Sequence, residues 1–173
     1  MKNTASIIID VQKGLFYRDR PIYKAEQLIN NINSLISYSR VNEMPLFFIY
    51  HETKRMLKKD TEGWQLHPNL NVDTKKDNFL SKTKGSLFIE NDIAQKLKAD
   101  GIDNLLMMGL FTHTCVKTNC LEAQKLGFNV ILAKDAHSNY HAEPKNIIET
   151  WNRKLKEAAI EVISTEQIIK GNR

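Results

Sequence analysis

Short apolar runs alternate with longer amphipathic segments along the whole chain. The runs are rich in β-branched or aromatic residues, and several are apolar throughout, a pattern typical of strands that are covered on both faces. They occupy 5–10, 46–50, 104–110, 129–133 and 161–164, with a weaker run at 77–80. The pattern therefore predicts six mostly buried β-strands.

Two of the intervening segments have apolar residues at helical spacing. They are 23–40 and 145–159, and Pro144 suits the first turn of the second helix. Alternation of strands and helices requires βαβ crossovers, which build a parallel sheet between helix layers. We expect one α/β domain over 1–173, doubly wound, with a mostly parallel six-stranded sheet and helices on both faces. The polar stretch 52–76 is the exception, either an excursion over the site or a mobile segment.

Composition and charge narrow the classes of function. The chain has 173 residues, 42% of them hydrophobic, which suits a single globular domain. The formal net charge of +5 raises the question of nucleic-acid binding, but the basic residues are not clustered and are not interleaved with aromatic residues. We expect a solvated surface and no nucleic-acid partner, while a local basic rim for small anionic substrates stays open.

The first apolar run and the cysteines indicate the compartment. The run near the N-terminus is short and ends at Asp10, so it fits neither a signal peptide nor a membrane-spanning helix. Cys115 and Cys120 lie five positions apart, which favours reduced thiols over a disulfide framework. We expect a cytoplasmic protein without a membrane partner.

Three polar residues stand where predicted strands end. Asp10 ends the first strand, Lys82 follows the weak third strand, and Cys115 opens the helix after the fourth. Ligands of open α/β sheets bind beyond the carboxyl ends of the strands, so these side chains can converge. A cation and a helix N-terminus lower the pKa of a thiol, and a carboxylate can carry its proton. Backbone N–H groups of 111–115 could hold an oxyanion.

Each of these residues also has an ordinary structural interpretation. Asp10 could form a turn or cap a helix, Lys82 could be a surface charge, and Cys115 could be a small buried hydrophobe. The coincidence of all three at strand ends favours the catalytic interpretation.

Four stretches resemble the isochorismatase-like cysteine hydrolases, which include relatives of the nicotinamidases. They are SIIIDVQKGLF (6–16), GWQLHPNL (63–70), SKTKGSLF (81–88) and the segment 109–136. The last contains G-x-x-T-x-x-C-V, formed by Gly109, Thr112, Cys115 and Val116. Order and spacing also agree, so the resemblance covers most of the chain.

The resemblance implies a Rossmann-like isochorismatase fold and a catalytic triad of Asp10, Lys82 and Cys115. It further implies a cis peptide before Phe111, an oxyanion hole formed by the backbone amides of Phe111 and Cys115, and a homodimer or homotetramer. Retention of Cys115 favours cleavage of a C–N bond in a small amide or ureide through a thioester.

The chain also departs from the family pattern. Phe111 stands where a small residue is usual, and Asn119 and Cys120 replace a common Thr-Ala pair. We expect Cys120 to pack inside the protein. If Phe111 blocks the chemistry, the alternative is a noncatalytic small-molecule binding or scaffold protein that retains the fold.

The remaining expectations concern the substrate pocket and metals. The residues expected to line or orient the pocket are Gln12, Phe16, His51, Trp64, Phe88 and His113. Nicotinamidases carry an Asp-x-His metal motif after the second strand, but no aspartate lies two residues before His51. His137 and His141 have the spacing of helical ligands without the adjacent glutamate of the zinc-protease motif. We expect no metal and no other cofactor.

Overall fold

The computed structural model describes residues 1–17 and 19–171 and contains one six-stranded sheet. Every pairing in the sheet is parallel, and the strand order is β3-β2-β1-β4-β5-β6. The strands are β1 (Thr4–Ile9), β2 (Leu46–His51), β3 (Asn78–Lys82), β4 (Asn104–Leu110), β5 (Asn129–Ser138) and β6 (Glu161–Ile163).

Five α-helices cover the two faces of this sheet. They are α1 (Ala25–Val41), α2 (Ile93–Ala99), α3 (Lys117–Lys125), α4 (Pro144–Glu157) and α5 (Thr165–Lys170). Apolar residues of α1 and α5 pack with one set of strand side chains to form a first core. Residues of α2, α3 and α4 pack with the opposite set to form a second core. The predicted doubly wound α/β architecture is therefore confirmed.

Several boundaries differ from those that the pattern predicts. Lys82 is the last residue of β3 instead of following it, and β5 continues to Ser138, so His137 lies on a strand and not on a helix. The pattern missed the short helices α2 and α5. Segment 52–76 contains a 3₁₀ turn at Glu62–Trp64, and Leu66 bridges to Gln12. No helix among 1–17 and 19–171 combines the length and apolarity needed to cross a bilayer.

The sheet changes its direction of winding between β1 and β4, and ligands of open α/β sheets bind beyond the strand ends at such a point. Gly109 allows these two strands to approach closely. Its φ is +120°, and a Cβ atom there would lie 2.1 Å from the carbonyl oxygen of Ile9. Asp10 follows β1 with a φ of +54°, a conformation that aspartate tolerates better than most residues. These features direct Asp10 and the segment after β4 to the same place.

Candidate active site

Asp10, Lys82 and Cys115 meet at the carboxyl edge of the sheet. The Lys82 ammonium donates a hydrogen bond to Asp10 Oδ2 at 2.8 Å and lies 3.5 Å from Cys115 Sγ. The Asp10 and Lys82 side chains are 3% and 0% exposed, so this is a buried ion pair. Asp10 Oδ1 is also buried and has no hydrogen-bond partner among the described residues. It is therefore available to accept a proton.

The Lys82 ammonium has two further neighbours. It lies 3.0 Å from His51 Nδ1 and donates to the carbonyl oxygen of Lys84 at 3.2 Å. An ammonium has no lone pair, so His51 Nδ1 must be the acceptor and the ring proton must sit on Nε2. Burial and the charge of Lys82 both lower the pKa of His51. The half-buried imidazole is therefore neutral and presents an N–H on its far side.

The pKa shifts of Asp10 and Cys115 correct one expectation. Burial raises the pKa of Asp10, and Lys82 opposes that shift. Burial and the Asp10 charge raise the pKa of the Cys115 thiol to about 11, although Lys82 lowers it. The expected lowering toward neutrality was wrong for the resting protein, because burial and a neighbouring carboxylate outweigh the cation. The resting site therefore holds a thiol, not a thiolate, beside the Lys82–Asp10 ion pair.

A wide turn carries the nucleophile candidate. The peptide bond between Leu110 and Phe111 is cis, as the resemblance implied. A π-helical turn then runs over Thr112–Val116 and continues directly into α3. The carbonyl oxygen of Phe111 accepts hydrogen bonds from the N–H groups of Thr114 and Val116 at 3.1 and 3.2 Å. The amides of Phe111 and Cys115, predicted to form an oxyanion hole, thus lie at the start of this turn and within it.

Thr112 anchors the turn to a strand and a helix. Its hydroxyl lies 2.9 Å from His137 Nδ1, and His137 Nε2 lies 2.9 Å from Asn152 Oδ1. The amide oxygen can only accept, so Nε2 carries the proton and Nδ1 accepts from the Thr112 hydroxyl. Burial lowers the pKa of His137 to about 4, which keeps this ring neutral. His137 is therefore a structural residue with both nitrogens engaged.

Among the predicted pocket residues, Gln12 needs a correction. Its side chain is fully buried and accepts from the backbone N–H of His51 at 2.8 Å. It also donates to the carbonyl oxygens of His51 and Trp64 at 3.1 and 2.8 Å. Gln12 therefore does not line a pocket. It ties the end of β2 to the 3₁₀ turn at Glu62–Trp64 and so orients His51.

The aromatic candidates lie in different surroundings. Trp64 stacks on Tyr50, with ring centroids 4.2 Å apart, and Phe16 packs against His67 at 4.4 Å. Phe88 stacks on Phe128, which precedes β5, and packs against the second core. Phe88 is thus a partly buried residue at the edge of the second core, a position that sequence spacing could not reveal.

His113 and Phe111 face the loop that follows β5. The Phe111 ring meets Tyr140 edge-on at 4.9 Å, and the His113 ring meets His141 at 5.3 Å. Burial and the neighbouring His141 lower the pKa of His113. Tyr140 and His141 also line an open cavity of about 570 Å³ together with 20–24. None of the described residues that line this cavity is acidic.

The ligand atoms of Asp10, His51 and Cys115 lie within 4.8 Å of one another, a separation that a metal ion could bridge. The Lys82 ammonium contacts all three residues and takes the place of such a cation. Because a metal would have to displace this buried charge, the donor set does not fit one while Lys82 is in place.

The chain is similar in sequence to known proteins. A sequence model of the Isochorismatase domain matches residues 4–167. The uncharacterized isochorismatase family protein YecD of Escherichia coli O157:H7 is 28% identical over 159 residues, covering 84% of this chain and 85% of that protein. Nicotinamidase 3 of Arabidopsis thaliana is 24% identical, covering 82% and 76% of the two chains.

A solved structure supports the fold independently. The crystal structure of a cysteine hydrolase from Pseudomonas syringae pv. phaseolicola 1448A superposes with a TM-score of 0.86. The alignment covers 97% of this chain and 91% of the other at 17% identity. At that identity the likeness concerns the fold alone.

Proposed function

This chain belongs to the isochorismatase family of hydrolases, and from that premise we propose that it cleaves a C–N bond of a small amide or ureide through a thioester on Cys115. The observation that carries the proposal is the buried cluster in which Lys82 contacts both Asp10 and Cys115. A carboxylate, a cation and a thiol at one strand edge form a nucleophile with its own base.

The reaction begins with a neutral thiol. Asp10 takes the proton from Cys115 as the sulfur attacks the substrate carbonyl carbon, and the raised pKa of Asp10 makes it a stronger base than an ordinary aspartate. The amides of Phe111 and Cys115 stabilise the resulting oxyanion. Asp10 then protonates the departing nitrogen as the C–N bond breaks. Asp10 then deprotonates a water that attacks the thioester carbonyl carbon, the C–S bond breaks to release the carboxylic acid, and Asp10 returns the proton to the sulfur.

Two features support binding of a polar or anionic amide. His51 offers an Nε2–H donor beside the triad, so a substrate acceptor group suits that position. The cavity lined by Tyr140 and His141, the ring partners of Phe111 and His113, includes Arg20 and Lys24 among its described lining residues and contains no acid there. We therefore favour neutral or negatively charged substrates over cationic ones.

The noncatalytic alternative depends on Phe111 obstructing the site. The Phe111 ring packs on Tyr140 and the first core, whereas Cys115 packs against the second core on the other side of the sheet. This separation favours the hydrolase.

The test is release of ammonia or amine from a panel of small amides and ureides. We expect Cys115→Ser to lower kcat by at least about 10³-fold, while Cys120→Ser retains the wild-type rate because Cys120 is buried away from the site. Intact-mass spectra under turnover should show an acyl adduct on Cys115. Hydrolysis that survives Cys115→Ser would overturn the proposal. The homodimer or homotetramer that the resemblance implies is tested separately by light scattering.

A further inference from the structure

Asn119 is a fully buried amide on α3, one helical turn after Cys115. Its Nδ2 donates to the carbonyl oxygen of Cys115 at 2.8 Å and to that of Gly85 at 3.0 Å. Its Oδ1 accepts from the backbone N–H of Leu87 at 2.8 Å. Both amide hydrogens and the amide oxygen are therefore engaged with backbone groups.

These backbone groups belong to two different catalytic segments. Cys115 lies on the turn after β4, whereas Gly85 and Leu87 lie on the loop after β3. The same loop supplies the Lys84 carbonyl oxygen that accepts from the Lys82 ammonium. The two segments that Asn119 joins therefore adjoin the proposed nucleophile, Cys115, and the cation, Lys82.

The sheet itself does not connect these two segments. β3 is an edge strand, and β2 and β1 separate it from β4. No ladder of backbone hydrogen bonds therefore fixes the distance between Lys82 and the turn that bears Cys115. Asn119 supplies a direct link at the point where the sheet lacks one.

We propose that Asn119 is a positioning residue that sets the spacing between the Lys82 ammonium and the Cys115 sulfur. The inference rests on the proposed role of Cys115 as nucleophile. The two atoms lie 3.5 Å apart, and Coulomb attraction falls with distance most steeply in a buried site. If the turn moves away from the loop, the contact between the Lys82 ammonium and the Cys115 sulfur weakens. Burial and the Asp10 charge, both of which disfavour the thiolate, are then less well offset.

Asn119→Thr cuts the link with little loss of volume. A threonine hydroxyl can still donate to the carbonyl four residues earlier, which is that of Cys115, but it is too short to reach the loop as well. Asn119→Ala removes every bond and serves as the stronger variant. Asn139→Thr is the matched control, because Asn139 is also fully buried and its side chain bonds to nearby backbone, at His141 and Pro144.

The measurement is the rate at which iodoacetamide labels each cysteine at pH 8, followed by peptide mass spectrometry. We expect labelling of Cys115 to fall about tenfold in Asn119→Thr, the change produced by a rise of about one unit in thiol pKa. Asn139→Thr should leave the Cys115 rate unchanged even if it lowers Tm. Cys120 follows Asn119 directly on α3 and is fully buried, so it should label slowly in every variant.

Two results would overturn the inference. An unchanged Cys115 rate in both Asn119 variants would mean that the spacing is set elsewhere. Faster labelling of both cysteines would mean that Asn119 only holds α3 together. Labelling requires no substrate, so it tests the role of Asn119 separately from the hydrolase proposal. Failure of the hydrolase proposal would instead appear as hydrolysis that does not depend on Cys115.

Discussion

Removal of Lys82 should cost stability in a way that depends on pH. Lys82→Met keeps the length of the apolar stem but leaves the Asp10 carboxylate buried without its cation. Breaking a buried ion pair by removing one partner costs about 3–5 kcal/mol. We expect that loss in the free energy of unfolding at pH 8, with a smaller loss in the double variant Asp10→Asn/Lys82→Met because no unpaired charge remains.

The pH dependence gives the sharper check. Lys82 lowers the pKa of Asp10, so its removal raises that pKa further above the unfolded value of about 3.9. A carboxyl whose folded pKa is raised contributes stability at pH values below the unfolded pKa, and this contribution is lost as pH rises. The deficit of Lys82→Met relative to wild type should therefore grow from pH 4 to pH 8, by about 1.4 kcal/mol for each unit that Lys82 lowers the Asp10 pKa.

Urea unfolding, followed by circular dichroism at pH 4, 6 and 8, gives the free energy of unfolding of wild type, Lys82→Met, Asp10→Asn and the double variant. A deficit below about 1 kcal/mol that is equal at all three pH values would refute the reasoning, since breaking a buried pair costs far more. It would mean that Asp10 and Lys82 are solvated in solution.

Two further predictions concern the framework of the site. The pKa of about 4 for buried His137 means that its contribution to stability is present above the unfolded pKa of about 6.5 and is lost as pH falls toward 4. Wild type should lose roughly 3 kcal/mol more than His137→Gln between pH 7 and 4 in urea titrations, and parallel pH profiles would contradict the buried neutral ring. Gly109→Ala should lower the free energy of unfolding by more than about 4 kcal/mol or prevent folding, because the new Cβ meets the Ile9 carbonyl oxygen at 2.1 Å. Gly101→Ala is its control, because Gly101 also has a positive φ, of +74°, but no atom lies within 4 Å of an added Cβ, and it should cost only about 1 kcal/mol; equal losses would rule out the steric explanation.

Sequence alone was enough to predict the sheet, its two main helices and the convergence of Asp10, Lys82 and Cys115 at one edge. Asp10 and Cys115 follow long apolar runs, and in a parallel sheet the ends of such runs lie at one edge. Lys82 was a weaker candidate than Asp10 and Cys115, because β3 is half-exposed and its apolar pattern is weak. The helix α5 has only six residues, too few to establish a periodicity.

The electrostatics and the links between segments were harder to predict. The direction of the Cys115 pKa shift depends on how deeply the thiol is buried, which a sequence does not state. Gln12 was assigned to the pocket, yet its amide faces backbone of β2 and of the 3₁₀ turn. Asn119 was visible only as a departure from the family pattern, since its partners Gly85 and Leu87 lie more than 30 positions away.

The Lys82 ammonium has more close neighbours than protons to offer, and this excess has a consequence for turnover. An ammonium carries three N–H groups, while Asp10, His51, Lys84 and Cys115 all lie within 3.5 Å of it. In the reaction that we propose, the thiol proton moves to Asp10, and negative charge passes from one neighbour of Lys82 to another. The sum of charges inside the apolar surroundings is the same before and after the transfer. Because the ammonium already contacts both groups, it can stabilise the negative charge on either Asp10 or Cys115. No additional counterion is needed for the transfer.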